Sequence, residues 1–260
     1  DFVELKDAGK LNIISTPFSN GCQYIGMNVT KPPFDNIKVR QAVAYALPYQ
    51  KIMDAVLFGL GKPLFGGPEK TAEAAWPVAH KFNTDIAKAK ALMAEAGHPN
   101  GFETTLSFDL GFATVNEPLC ILVQESLAQI GIKCTINKVP GANLRAALLK
   151  KDMPMILNRF GGWLNYPEYF FFWCYHSQDA VFNTMSYKNP TMDKFIDTAR
   201  FENDRKKYQD AVSGFVNIAF EEVPRIPLAQ PNFDVAMQKS IQGYKYWFHL
   251  QPDFRHLSKA

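Results

Sequence analysis

The segment from residue 103 to residue 158 changes its hydrophobic period repeatedly, and this feature most limits the folds open to the chain. Alternating apolar and polar residues predict strands, whereas apolar residues three or four positions apart predict helices. Five elements follow as strand, helix, strand, helix and strand: residues 103–110, 117–130, 132–139, 142–151 and 155–158. Strands separated by helices form a sheet with crossover helices packed on it, so this order predicts an α/β fold.

Further elements are predicted on both sides of this segment. Strands are expected at residues 11–18, 22–29, 225–229 and 234–237, and helices at 37–47, 48–58, 85–96, 191–201 and 204–221. We expect the turn residues Ser19, Asn20 and Gly21 to join the first two strands. Residues 62–80 contain several prolines and predict an irregular segment.

Composition and charge exclude two kinds of partner. The 260 residues carry a net charge of +3, with acidic and basic residues interspersed. Binding to nucleic acid or anionic lipid requires a basic tract, and the sequence has none. No run approaches the ~18 apolar residues of a transmembrane helix. The chain starts at Asp1 without Met or a signal peptide, so we expect either a removed leader or a piece of a longer chain.

The cysteines and histidines form no motif that predicts a metal site. Four cysteines lie at positions 22, 120, 134 and 174, without metal-binding or redox spacing. A disulfide, for which Cys120 and Cys134 are the closest pair in sequence, and buried free thiols both remain open. The five histidines are scattered. No metal and no cofactor are therefore expected.

Candidate catalytic residues are sparse. The sequence lacks a nucleophile elbow, a P-loop and a dinucleotide-binding fingerprint. Asp109, at the end of a predicted strand, and Glu168 are the carboxylates that an enzyme would use in a cleft. Neither has a partner that the pattern places beside it. The sequence favours a protein that is not an enzyme, and an α/β enzyme using Asp109 or Glu168 is the alternative.

Glycines and aromatic residues are concentrated between residues 159 and 169. Gly161 and Gly162 would let a ligand approach the backbone, and Arg159 offers a fork of donors for a carboxylate or phosphate. Flat side chains with polar tips suit sugars, peptides or cyclic solutes, and Glu168 suits a cationic group. The candidate ligand-binding residues are Arg159, Trp163, Asn165, Tyr166, Glu168 and Tyr169. The competing interpretation is a core corner, with the rings packed inward and Arg159 in a structural ion pair.

Five segments together resemble one protein family. They are NVTKPPFDNIKVRQA at residues 28–42, DIAKAKALMAEAGHPNGF at 85–102, QESLAQIGIKCTI at 124–136, SYKNPTMDKFI at 186–196, and residues 222–244. In this order they resemble the family 5 extracellular solute-binding proteins of bacteria, which include periplasmic dipeptide- and oligopeptide-binding receptors. Each segment alone is a weak indicator, but the shared order makes the resemblance specific.

The resemblance implies a type II periplasmic-binding-protein-like fold of two α/β lobes around a solute cleft, in which a mixed sheet carries flanking helices. It implies the C-terminal lobe: residues 1–20 as a connector from a missing N-terminal lobe, 21–234 as the second lobe, and 235–260 as a return segment. Such receptors capture a solute, peptide-like or other, in the periplasm and deliver it to an ABC permease in the inner membrane. These are expectations for this chain.

The resemblance also bears on the candidate ligand-binding residues. The segment from Arg159 to Tyr169 resembles the family's cleft segment GW..DYPDP, in which an Asp pairs with the ammonium group of a peptide. Asn165 occupies that position here, which turns a charge-assisted hydrogen bond into a neutral one. Glu117 stands near the position where dipeptide-binding members carry an Arg for the ligand carboxylate. Both differences weaken the expectation of a dipeptide ligand.

Overall fold

The computed structural model describes residues 2–16, 21–59, 61–62, 81–161, 164, 166–178, 181–247 and 253–260. The helices are α1 (Phe2–Asp7), α2 (Ile37–Ala46), α3 (Tyr49–Lys51), α4 (Ile86–Glu95), α5 (Ala113–Ala128), α6 (Gly141–Lys150), α7 (Pro167–Tyr175), α8 (Pro190–Phe201) and α9 (Arg205–Glu222). A π-helix spans Ile52–Val56, and 3₁₀ helices span Leu110–Phe112 and Phe254–His256.

The strands are β1 (Leu11–Thr16), β2 (Gly21–Met27), β3 (Gly61–Lys62), β4 (Glu103–Asp109), β5 (Lys133–Val139), β6 (Met155–Gly161), β7 (Arg225–Pro231), β8 (Phe233–Gln238), β9 (Ile241–Gln242) and β10 (Ser258–Lys259). Within the described ranges a six-stranded sheet has the order β3-β7-β2-β6-β4-β5. Its strands β4, β5 and β6 are parallel, whereas β2 is antiparallel to both β6 and β7. The predicted α/β fold with a mixed sheet is thus confirmed.

Helices cover the sheet and bury its apolar side chains. Helix α5 packs on β4 and β5, α2 contacts α4, α5 and α9, and α7, α8 and α9 pack on one another. A single hydrophobic core lies between these layers. Its most completely buried residues include Ile25, Met27, Leu106, Phe108, Val123, Leu127, Ile156 and Phe215.

Local signals explain where several helices begin. The side chain of Asn189 accepts hydrogen bonds from the backbone amides of Thr191 and Met192, at 2.9 and 3.0 Å, and Pro190 takes the first helical position of α8. Asn36 caps α2 in the same way through the amide of Lys38. An Asn cap satisfies amides that have no partner within the helix, and Pro lacks such an amide.

The first two strands belong to different sheets. β2 lies in the six-stranded sheet, whereas β1 pairs antiparallel with β8 in a separate two-stranded ribbon. Of the predicted turn residues, Ser19 and Asn20 lie outside the described residues, and Gly21 begins β2. Gly21 was thus wrongly assigned to the turn, and the strand partners were not predicted because alternation indicates a strand without indicating its partner.

Three helices differ from their predicted form. α5 begins at Ala113 rather than at the predicted Glu117. Pro118 therefore lies inside the helix and not in its first turn. The predicted helix at residues 48–58 is a short α-helix followed by the π-helix. Helix α7 was not predicted, although Pro167 at its first position and Glu168 in its first turn are helix-start signals.

Candidate functional site

One edge of the main sheet collects the ends of its parallel strands. Asp109 at the end of β4 is the register partner of Val139 at the end of β5, and the parallel β6, in which Ile156 is the partner of Ser107, continues past this level to Gly161. We call this the strand-end edge, defined by Asp109, Val139 and Gly161. Ligands of open α/β sheets bind outside the carboxyl ends of the strands, so this edge is the place to look for a site.

The antiparallel strands connect the same edge to the β1–β8 ribbon. Gly21, the first residue of β2, is the partner of Gly161, and β7 ends at Pro231 two residues before β8 begins. In the ribbon Thr16 is the partner of Phe233, and Asn232 donates a hydrogen bond to the Ser15 hydroxyl over 2.9 Å. The chain therefore enters and leaves the ribbon at the strand-end edge.

Arg159 stands on β6 at this edge and is exposed. Its Cζ lies 4.0 Å from the centroid of the Phe112 ring, so the guanidinium covers the ring face. Among the described residues, no carboxylate forms an ion pair with Arg159. A guanidinium whose contact among the described residues is a ring face has N–H donors available there for an acidic group.

The aromatic candidates lie in three different settings. Trp163, with Gly162 and Asn165, lies outside the described residues, so its role stays a prediction. Tyr166, just before α7, is 47% exposed. Tyr169 is half-buried and lies 6.1 Å from Phe160, measured between ring centroids. Of the two tyrosines, Tyr166 is the one that presents its side chain to solvent.

Glu168 has a partner inside the protein. Its Oε2 accepts a hydrogen bond from the Tyr208 hydroxyl over 2.8 Å, which links α7 to α9. Burial raises the pKa of the Glu168 carboxyl, and the Tyr208 hydrogen bond opposes that rise. Its predicted role with a cationic group stays a prediction.

The other carboxylates near the edge also have partners. Asp109 caps the 3₁₀ helix through a 2.8 Å hydrogen bond that Oδ1 accepts from the Gly111 amide. Glu117, on α5, forms an ion pair with Lys138 on β5. Both carboxylates therefore contribute to local structure. Neither is paired with a His, Ser or Cys in the part of the chain that the structure describes.

Sequence reasoning missed Phe112. Leu110, Phe112 and Val115 are apolar, yet each is at least 40% exposed. They follow directly after Asp109, where the strand ends, and this position is the only signal by which the sequence could have revealed them. An exposed apolar cluster at the edge of a sheet is a candidate ligand surface.

The cysteines and the rings of Phe170 and Phe171 are buried in the interior. Cys22, Cys120, Cys134 and Cys174 are free and buried, so the alternative of four buried thiols is the one observed. The Phe171 ring is fully buried and lies 4.3 Å from Phe215 and 4.5 Å from Tyr175, between centroids. Over the described ranges, no cluster of three metal-ligating side chains is found. No described helix is long and apolar enough to cross a bilayer.

The sequence matches a known family over residues 1–182, described as bacterial extracellular solute-binding proteins, family 5 middle. The chain belongs to the family 5 solute-binding proteins. Among curated members, the glutathione-binding protein GsiB of Escherichia coli K12 is 31% identical over 244 residues. That match covers 89% of this chain and 46% of GsiB.

Solved structures of other binding proteins share the fold. DppA of Helicobacter pylori, in complex with the peptide STSA, superposes with a TM-score of 0.89 at 21% identity and covers 99% of this chain. AppA of Bacillus subtilis, in complex with a nonapeptide, gives 0.82 at 26% identity over 100% of this chain. The type II binding-protein fold is therefore confirmed. The chain spans about half the length of these two proteins, 50% of DppA and 54% of AppA.

Proposed function

We propose that this chain is the C-terminal lobe of a receptor that captures a small solute for an ABC importer. The observation that carries the proposal is the shared position of the candidate residues and the ribbon. Arg159 and the exposed apolar cluster stand at the edge where the chain enters and leaves β1 and β8. A second lobe joined through this ribbon would face that edge and close a cleft over it.

The proposed architecture keeps the expected division of the chain. Residues 1–20 form the connector, 21–234 the lobe, and 235–260 the return toward the N-terminal lobe. The pairing of Leu11–Thr16 with Phe233–Gln238 supports a connector of two neighbouring strands. The partners are the N-terminal lobe of the same protein and an ABC permease. The proposed compartment is the periplasm or the outer face of the cell membrane.

The charges at the edge favour a solute with an acidic group. Asp109, Glu117 and Glu168 each have a partner within the lobe, whereas the Arg159 guanidinium contacts the Phe112 ring. A carboxylate on the solute would form a charge-assisted, bidentate hydrogen bond with Arg159. Asn165 in place of an Asp weakens recognition of an ammonium group. Small acidic peptides and peptide conjugates are therefore the first solutes to test.

The enzyme alternative has less support. Asp109 and Glu168 are its candidate carboxylates, and each forms a hydrogen bond that stabilises a helix end or a helix contact. Neither carboxylate is paired with a His, Ser or Cys among the described residues, as a nucleophile and its base would be. A receptor needs only the available donors and the exposed apolar surface that the edge provides.

Calorimetry on a two-lobed form of the protein tests the proposal. The titrants are glutathione, Ser-Thr-Ser-Ala, a mannose oligomer and a nickel chelate, with thermal unfolding as a parallel measurement. We expect one class of solute to bind stoichiometrically, without turnover, and to raise the melting temperature of the protein. The affinity for that solute should fall at least tenfold in Arg159→Gln. Submicromolar binding by the 260-residue chain alone, or conversion of the solute to product, would contradict the proposal.

A further inference from the structure

Arg159 and Phe112 come from neighbouring parallel strands and meet above their ends. Phe112 follows β4 by three residues, and Arg159 lies two residues before the end of β6. The guanidinium carbon lies 4.0 Å from the ring centroid, within the range in which a cation is attracted to a ring face. A side chain held in this way loses less conformational freedom when a ligand binds.

The position of the Phe112 ring depends on a turn that Asp109 stabilises. Asp109 Oδ1 accepts the Gly111 amide hydrogen, and this bond folds the chain into the 3₁₀ helix Leu110–Phe112 immediately after β4. An Asp that bonds the amide two residues ahead fixes the direction of the chain at that point. Without the bond, the backbone that carries Phe112 has more than one path from the end of the strand.

Gly141 leaves room for the same carboxylate. A Cβ atom on Gly141 would lie 3.0 Å from Asp109 Oδ2 and 3.4 Å from Oδ1. Gly141 is the first residue of α6, which follows β5, so the start of this helix lies against Asp109. A side chain at position 141 would press on the carboxylate and, through the turn, on the ring beneath Arg159.

We infer that Phe112 and Asp109 are positioning residues, which set the direction in which Arg159 presents its guanidinium to a solute. The inference rests on the proposed function, in which Arg159 binds the acidic group. Phe112 supplies the surface on which the guanidinium lies, and Asp109 fixes the turn that places the ring. Asp109, considered from sequence as a catalytic carboxylate, thus acts through Phe112 rather than on a substrate.

The test observes Arg159 directly and needs no solute. In the ¹⁵N-labelled 260-residue chain, the Nε–Hε resonance of Arg159 is assigned by its disappearance in Arg159→Lys. A proton held over a ring face shifts upfield, so we expect an upfield resonance in the wild type. The shift should be lost in Phe112→Leu and retained in Phe112→Tyr. Leu110→Ala, which changes an exposed neighbour on the same 3₁₀ helix, is the matched control and should retain the shift.

A second pair of variants tests Asp109. Asp109→Asn keeps an oxygen that accepts the Gly111 amide, whereas Asp109→Ala removes it, so only the alanine variant should lose the shift. Amide spectra and melting temperatures confirm that each variant folds. A wild-type Arg159 resonance like that of a free arginine, or an unchanged shift in Phe112→Leu, would overturn the inference.

The result is separable from the proposed function. If Arg159→Gln leaves solute affinity in the two-lobed protein unchanged, the proposed contact with the solute is wrong, whatever the resonance shows. If that affinity falls but Phe112→Leu and Asp109→Ala leave the chemical shift of Arg159 Nε–Hε unchanged, Arg159 binds the solute and the positioning role of Phe112 and Asp109 is wrong.

Discussion

A Cβ atom on Gly101 would overlap the carbonyl oxygen of Gly131, so the two turns that precede β4 and β5 touch through their backbones. Both glycines have positive φ, at 76° and 82°. Two residues beyond them, Glu103 and Lys133 form the first register pair of the parallel strands. This contact brings β4 and β5 into register at their start and therefore fixes which residues stand at the strand-end edge.

Gly101→Ala should lower the free energy of unfolding of the lobe by more than the cost of placing alanine in a left-handed backbone conformation. A non-glycine residue in the left-handed region costs ~1–2 kcal/mol, and the overlap with Gly131 adds to this cost. Gly97→Ala is the matched control, because Gly97 has a φ of 83° but no neighbouring atom within 4 Å of a Cβ. Urea unfolding measures the loss of unfolding free energy in each variant. Equal losses in Gly101→Ala and Gly97→Ala would show that the Gly101–Gly131 contact contributes nothing.

Phe112 and Arg159 should be energetically coupled. A double-mutant cycle with Phe112→Leu and Arg159→Gln isolates the pair, which is partly exposed, so we expect a coupling free energy of ~0.5–1 kcal/mol. Unfolding of the four proteins in urea at low salt gives the value. The same cycle with Leu110→Ala in place of Phe112→Leu should give no coupling. A coupling free energy near zero in the Phe112–Arg159 cycle as well would contradict the contact between the two side chains.

Glu168→Gln should change how stability depends on pH. Burial raises the pKa of Glu168 in the folded state above its ordinary value of 4.5, so the folded protein binds this proton more tightly than the unfolded chain does. The contribution of the Glu168 carboxyl to the free energy of unfolding is present at low pH. It is lost as the pH rises from 4.5 through the pKa of Glu168 in the folded state. Relative to the wild type, Glu168→Gln should therefore gain stability across that interval.

Tyr208→Phe supplies the opposite comparison for the Glu168 prediction. It removes the hydrogen bond that stabilises ionised Glu168, so the loss of stability with rising pH should become larger. Thermal unfolding between pH 4 and pH 7, expressed as the difference from the wild type at each pH, measures both effects. Parallel profiles for all three proteins would show that Glu168 is not perturbed.

Trp163→Ala should weaken solute binding in the two-lobed protein by ~1–3 kcal/mol, the range expected for a buried aromatic contact at an interface. Calorimetry with the solute identified by screening measures the change. Phe201→Ala is the control, because Phe201 is 74% exposed on α8. Unchanged affinity in Trp163→Ala would remove this residue from the site.

The four cysteines should be unreactive in the folded protein. Burial raises the pKa of Cys120 to about 12 and that of Cys134 to about 11, and thiolate is the reactive species. A thiol reagent should therefore label all four only after denaturation, without any reductant. Fewer than four labelled thiols would indicate a disulfide that the folded geometry does not contain.

Local patterns predicted most elements of the fold. Helices α2, α4, α8 and α9 lie within one or two residues of their expected bounds, because caps, glycines and prolines at their ends act over a single turn. The strands β4 and β5 follow their alternation closely for the same reason. α7 was missed because its run of large aromatic residues has no polar face, so it carries no helical period.

The candidate site was predicted only in part. Arg159, near the end of β6, and Tyr166, just before α7, are exposed, and their part in solute binding stays a prediction. The same pattern could not reveal that Tyr208 engages Glu168, because the two lie 40 residues apart on different helices. Nor could it reveal Phe112, whose place beside Arg159 follows from the pairing of β4 with β6.

The sequence by itself determined the family, the α/β class and the segments that form helices and strands, because period, capping and turn chemistry act between residues close in the chain. Only the tertiary structure decided that Leu11–Thr16 pairs with Phe233–Gln238, and that Arg159 lies on Phe112. These pairings depend on the free energies of many contacts between residues far apart in the chain. A local sequence pattern contains no information on those free energies.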